Sequence, residues 1–166
     1  MSRDRFPVTA AVRVLREHAV PFTHHPYEYE ERGGTEVSAR ELGVPEHQVI
    51  KTLIMEDDAK RPLVALMHGD REVSTKNLAR LIGAKTVSPC APAVADRHSG
   101  YQVGGTSPFG TRRAMPVYVQ ASIGELPYLY VNGGRRGYLV GMTPSELVRV
   151  LQPVIADIAT APGDAG

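Results

Sequence analysis

"HQVIKTLIMED", residues 47–57, decides the fold. Val49, Lys51, Leu53 and Met55 alternate with Ile50, Thr52 and Ile54, and a period of two sends the two sets to opposite faces of a strand. Pro45 bounds the run on one side and "DDAKRP" on the other, which is where turn chemistry belongs. "LVALMHG" (63–69) follows closely enough to pair with it as a hairpin. A strand with a hairpin partner is therefore the seed from which the rest is read.

On the N-terminal side, Val12, Leu15 and Ala19 share one face of an amphipathic helix over Thr9–Ala19, with Thr9 as its cap and Pro21 as its stop. "FTHHPYEYEERGG" (22–34) reads as an extended segment running into a loop, and "TEVSARELG" (35–43) as a short helix capped by Thr35 and ended by Gly43. On the C-terminal side, "STKNLARLIGAK" (74–85) is a helix, "TVSP" a strand and "CAPAVADRHSG" a helix. "YQV", "MPVYVQ", "PYLYVN" and "GYLVGM" read as strands. The last helix opens at "TPSE", with Thr143 as cap, Pro144 at the first turn and Glu146 completing a capping box.

Helices and strands alternate, yet several links have hairpin length, which argues against a purely parallel sheet. The expected fold is a single α/β domain over 1–158, a mixed sheet that is curled and barrel-like with helices packed outside. The tail, 159–166, is expected to be disordered. A chain of 166 residues suits one domain. Thirteen prolines and sixteen glycines favour short strands and turns over a helical bundle.

A single cysteine, Cys90, excludes an internal disulfide framework and a Cys₄ or Cys₂His₂ zinc site, and fits a reducing cytoplasm. No apolar run approaches the roughly 20 residues that span a bilayer, and the N-terminus lacks a secretory signal pattern. A net charge of +1 does not announce a nucleic-acid binder, although local basic clusters can carry such contacts.

Three features bear on chemistry. Lys51 lies among apolar strand neighbours, where an ammonium needs an anionic partner. On an edge strand it discourages aggregation; in a pocket it holds a phosphate or an oxyanion. "GGTSPFG" (104–110) and "VNGGRRG" (131–137) place bare backbone at strand ends, at Gly104 and Gly105 and at Asn132, Gly133 and Gly134. With Arg112–Arg113 and Arg135–Arg136 beside them, the two loops could form an anion-binding rim. "NGG" between strands is most often a hairpin turn. Ser107 is outside any G-x-S-x-G elbow. The six histidines show no metal-ligand spacing, and Cys90 has no histidine or arginine next to it in the chain. The sequence offers a basic pocket and bare backbone without an obvious nucleophile.

Taken together, "HQVIKTLIM", "LARLIGAKTV", "SGYQVGGTSPFG" and "YVNGGRRG" resemble, in order and spacing, the bacterial YbaK/EbsC family. These are free-standing aminoacyl-tRNA deacylases related to the editing domain of prolyl-tRNA synthetase, and the resemblance covers residues 8–158. It implies a curled mixed sheet with helices outside. It also implies a cytoplasmic enzyme, without cofactor or metal, that cleaves the ester joining a wrong amino acid to the tRNA 3′ end, chiefly cysteine on proline tRNA. A ternary complex with prolyl-tRNA synthetase is a further implication.

Lys51 takes the place of the family's essential lysine, with Gly104 and Gly105 as catalytic backbone. Tyr27, Thr52, Ser107, Pro108, Asn132, Gly133, Gly134 and Arg136 are the expected substrate contacts. In the cysteine branch of the family the substrate's own thiol attacks its carbonyl, whereas in related branches the terminal ribose hydroxyl helps a water, and the resemblance leaves both open for this chain. Two positions depart from the pattern. Gly34 stands where a phenylalanine is usual, and Leu139 where an acid is usual. The competing readings are a non-catalytic tRNA-acceptor or synthetase-binding module and, far behind, an esterase using Cys90.

Overall fold

The structure is a computed structural model that describes residues 5–161. Helix α1 (Ala10–Glu17) begins where the Thr9 hydroxyl accepts the Val12 N–H at 3.1 Å, and it buries Ala11, Val12 and Leu15. Strand β1 (Thr23–Pro26) follows, then α2 (Gly34–Leu42), which ends at Gly43 in the left-handed region, φ 71°. β2 (Val49–Asp57) and β3 (Pro62–His68) form the expected hairpin, with Lys51 opposite Met67 and Leu53 opposite Ala65. Ser74 caps α3 (Thr75–Ile82) by accepting the Asn77 N–H at 3.1 Å. β4 (Val87–Pro89), α4 (Pro92–Ser99), β5 (Val117–Gln120), β6 (Leu129–Arg135), β7 (Tyr138–Met142), α5 (Pro144–Leu151) and β8 (Val154–Ala156) complete the described elements.

The strands make one sheet of eight in the order β1-β7-β6-β2-β3-β5-β8, with β4 also on β2. β2–β6, β3–β5 and β5–β8 are parallel and the other pairs antiparallel, so the sheet is mixed, as expected. It is open rather than closed. The period of two in β2 holds. Ile50 and Ile54 enter the main core with Leu66, Val131 and α1, whereas Leu53 and Met55 pack with Leu63, Met67 and α3. Val49 joins a third cluster with Ala39 and Leu139 under α2. No helix among the described residues is long and apolar enough to cross a membrane.

Several sequence expectations need correction. "YQV" is not a strand: Ser99 accepts the Tyr101 N–H and Asp96 the Val103 N–H, so side chains of α4 take main-chain donors that a ladder would use. "NGG" is not the hairpin turn. β6 continues to Arg135, the register slips between Asn132 and Arg135, and the turn is made by Arg136 and Gly137. Thr35 caps nothing; its hydroxyl donates to the Glu46 carboxylate at 2.7 Å, and Gly33 holds the cap position. The capping box at Thr143 is likewise unmade, since Glu146 pairs with Arg149 at 2.6 Å instead. β8 escaped notice because it is a three-residue edge strand with Val154 and Ile155 exposed. Ala159 bridges to Val73 and the Thr160 N–H donates to the Glu72 carbonyl, so the domain runs at least two residues past 158. The remainder of the tail, 162–166, lies outside the described residues.

His68 is fully buried at the end of β3, its Nδ1 on the His47 carbonyl at 2.7 Å and its Nε2 on the Ser122 hydroxyl at 2.8 Å. Burial holds its pKa below the ordinary 6.5, so the unfolded chain takes up the proton first. The resulting stabilisation is complete above pH 6.5 and is lost as pH falls from there toward the lowered folded value. Thermal melts at pH 7.5 and 5.5 should therefore show a larger drop in Tm for the wild type than for His68→Asn.

Candidate functional site

The partners of β2 divide along one edge. β6 pairs with its start, at Val49 and Ile50, and β4 with its end, at Met55 to Asp57. Between them the edge has no strand beside it. Alternation along the ladder turns the main chain of Ile50, Thr52 and Ile54 to that side, and the Cys90 N–H donates to the Ile54 carbonyl at 3.0 Å. The Thr52 N–H and C=O therefore face the opening, and the Thr52 hydroxyl is buried without a partner among the described residues. A buried polar atom left unpaired is costly, and here it borders an open cleft.

That cleft, about 760 Å³, has Ile50, Thr52 and Ile54 along one wall. Pro89, Cys90 and Ala95 bring small side chains to one end, and Tyr27 with Leu139 close the other. Gly104 and Arg136 come from the two glycine loops, which are stitched together. The Asn132 amide donates to the Gly104 carbonyl at 3.2 Å, and the Arg136 Nε donates to the Val103 carbonyl at 3.0 Å. The Asn132 side-chain oxygen, Oδ1, accepts the N–H of Gly134 and of Arg135 at 2.7 and 3.1 Å, which sets the bulge. Arg136 also lies 5.2 Å from the centre of the Tyr29 ring.

Close approach explains the glycines. A Cβ on Gly105 would lie 2.7 Å from the Arg136 nitrogen and 2.8 Å from the Arg135 carbonyl carbon. A Cβ on Gly133 would strike the Tyr138 ring at 2.5 Å. Gly104 has φ +94°, and a Cβ there would meet the Tyr29 hydroxyl at 2.6 Å. The bare backbone is first a packing device, which lets loop 102–106 lie flat on the β6–β7 end.

Of the residues singled out in the sequence, Tyr27, Lys51, Thr52, Gly104, Asn132 and Arg136 line the cleft together. Gly105, Ser107, Pro108, Gly133 and Gly134 do not. Ser107 is fully buried and its hydroxyl accepts the Phe109 N–H at 3.1 Å. The Gly105 N–H donates to the Gln102 carbonyl at 2.7 Å, so it is not free to meet a ligand. Val103 donates to Asp96, and the Gly104 N–H is one of the main-chain donors of loop 102–106 that no described residue engages. Gly34, at φ +59°, leaves open space at the cleft wall, and Leu139 keeps the opposite wall apolar beside Tyr27 and Val49.

Lys51 is not an edge-strand lysine, since β2 is central. Its Nζ donates to the Glu72 carboxylate at 2.6 Å, with Lys51 largely covered and Glu72 largely exposed. Glu72 was invisible to sequence reasoning: it is 21 positions away, and the contact is made by the link between β3 and α3. Burial, aided by the nearby Glu56 carboxylate, pushes the Cys90 thiol up to about 11, far from a ready nucleophile.

Among the described residues, two sets of side chains have metal-ligand composition, His47–His68–Asp70 and Glu56–Cys90–His98. In the first, both His68 nitrogens are engaged within the protein. In the second, the Arg113 guanidinium donates to His98 Nδ1 at 3.1 Å, so the ring proton belongs on Nε2, facing Glu56 at 2.9 Å. Neither set presents converging lone pairs. Arg113 is thereby tied to α4.

The sequence profile of the aminoacyl-tRNA editing domain matches residues 30–150. Over 153 residues the chain is 28% identical to EbsC of Enterococcus faecalis, named as a candidate Cys-tRNA(Pro)/Cys-tRNA(Cys) deacylase, covering 92% of this chain and 93% of that one. A proline–tRNA ligase of Nitratidesulfovibrio vulgaris is 31% identical over 111 residues, which cover 67% of this chain and 17% of the ligase. A crystal structure described as a candidate trans-editing enzyme for prolyl-tRNA synthetase superposes with a TM-score of 0.80 at 20% identity, over 94% of this chain and all of the other. At that identity the likeness is one of fold.

If Gly105 serves packing, Gly105→Ala should lower stability by about 1–3 kcal/mol through overpacking against main chain. Gly124→Ala, where nothing lies within 4 Å of the new methyl, should cost far less. Urea unfolding of the two variants makes the comparison.

Proposed function

The chain belongs to the aminoacyl-tRNA editing domain family, and from that premise we propose that it removes wrongly attached amino acids from tRNA in trans, with cysteine on proline tRNA as its chief substrate. The observation that carries this reading is the break in pairing along β2. It turns the Thr52 main chain, with a buried and unpartnered hydroxyl behind it, toward a cleft whose other wall is the Gly104 turn. A single-stranded 3′ end carrying an ester needs such a place: unpaired donors and acceptors for ribose and carbonyl, and a cation for phosphate.

On this proposal each cleft residue has a role. Lys51 exchanges its exposed partner Glu72 for the terminal phosphate or ribose region, which fixes the ester. The Gly104 N–H is the donor offered to the developing oxyanion, and Thr52 takes the ribose hydroxyls. Arg136, held by the Val103 carbonyl and the Tyr29 ring, adds positive charge at the rim. No side chain in the cleft combines a nucleophile with an activating base. The attacking group we favour is the substrate's own, the cysteine thiol: its C–S bond to the carbonyl forms a thiolactone as the ester C–O bond breaks, and its proton passes to the departing ribose oxygen. The alternative is a water helped by the terminal ribose hydroxyl. Positioning and charge stabilisation supply the acceleration. A complex with prolyl-tRNA synthetase, which would lend tRNA affinity to a chain of net charge +1, is part of the same proposal.

Proline tRNA charged separately with cysteine, alanine and serine tests the reading. Wild-type protein should release cysteine fastest. Lys51→Ala should slow release by about 100-fold or more, the scale on which a single charge-stabilising group acts. Cys90→Ala should retain activity; its loss would restore Cys90 as a nucleophile. Substitution is preferable to a thiol-blocking reagent, because Cys90 lines the cleft and a bulky adduct would obstruct it. Intact tRNA binding with no hydrolysis of any of the three esters would instead support a non-catalytic binding module.

A further inference from the structure

Charge in the cleft is unevenly accounted for. Three carboxylates line it: Glu30, Glu31 and Asp96. Glu30 pairs with Arg40 at 3.7 Å outside the cleft, and Glu31 is exposed at the rim. Just beyond the lining, Glu72 is taken by Lys51 and Glu56 by His98. Asp96 differs from all of these. It is half-buried on α4, and no ion pair formed by the described residues includes it.

Its placement is fixed. Asp96 Oδ1 accepts the Val103 N–H at 3.0 Å, and the main chain of Asp96 accepts the Gly100 N–H at 2.9 Å, which closes α4. The carboxylate is thus anchored one residue before the Gly104 N–H. An α-amino ester has the matching shape: its ammonium is attached to the carbon next to the carbonyl. A carbonyl oxygen on the Gly104 N–H carries the ammonium into the neighbourhood of the adjacent amide, where the Asp96 carboxylate has a second oxygen to offer. The remaining walls there, Ala95 and Pro92, carry no charge of their own.

We propose that Asp96 is the counter-ion of the substrate's α-ammonium, so that the cleft selects esters whose amino group is free and rejects those whose amino group is acylated. A neutral N-acyl group would leave the carboxylate desolvated and unpaired, which is the larger part of the discrimination. The inference rests on the deacylase reading, since it takes the aminoacyl ester as the ligand.

Equilibrium binding separates the two. The probes are proline tRNA carrying alanine through a non-hydrolysable 3′-amide, and the same molecule acetylated on its α-amine, with affinity read by fluorescence anisotropy. Wild-type protein should bind the free-amine form about tenfold tighter, the scale of one hydrogen-bonded charge pair. Asp96→Asn keeps an acceptor for the Val103 N–H, and it should bind both forms with the same Kd. Glu31→Gln, at the rim, should keep the wild-type preference. An Asp96→Asn variant that keeps the preference, or a wild type that shows none, overturns the assignment. A preference of the expected kind, in a protein that hydrolyses none of the charged tRNAs, upholds Asp96 and overturns the deacylase reading instead.

Discussion

The structure depends on a division of hydrogen bonding along β2. One edge of this strand is satisfied over its whole length by β3. The other is shared between β6 and β4, which hold its two ends and diverge in the middle. A central strand normally has no main-chain groups to spare, because buried donors and acceptors must be paired. Here the pairing is withheld over a few residues, and the cleft is the space that results. The site is therefore a feature of sheet topology, with its side chains arranged around an opening that the ladder creates.

The two glycine loops keep that opening in shape. Among the loop glycines at which a Cβ would collide, Gly105 marks a place where one loop rests on the other, and Gly133 one where the loop rests on the Tyr138 ring of β7. Asn132 and Arg136 then tie the loops together through side chain to main chain bonds. Such contacts spend the amide of Gly105 on internal structure and leave that of Gly104 exposed. Rigidity at the wall and availability at one donor come from the same packing.

Charge is arranged on a similar plan. Most ionised groups near the cleft have a partner within the protein: Lys51 with Glu72, Glu56 with His98, Glu30 with Arg40. The Lys51 pair has one covered member and one exposed member, so it can be exchanged for an incoming anion at modest cost. Asp96 and the Thr52 hydroxyl are polar groups without such a partner, and they line the same cleft as the Gly104 turn.

What was legible in the chain was whatever depends on neighbours in sequence. The alternation from Val49 to Met55, the cap at Thr9 and the stop at Gly43 all follow from local sterics and hydrogen bonding, and each is found in the structure. Lys51 and Gly104 stood out because their residue types were unusual for their settings, and Thr52 was singled out only by the family resemblance. Tertiary structure decided the rest. It turned "NGG" into a bulge, gave Thr35 a carboxylate instead of a helix end, and made Ser107 a core residue. It also brought Glu72 to Lys51 and Asp96 to the Gly104 turn. The physical reason is common to all of these. A hydrogen bond or ion pair between distant segments is chosen by where the sheet places them, and a local pattern carries no information about which partner will arrive.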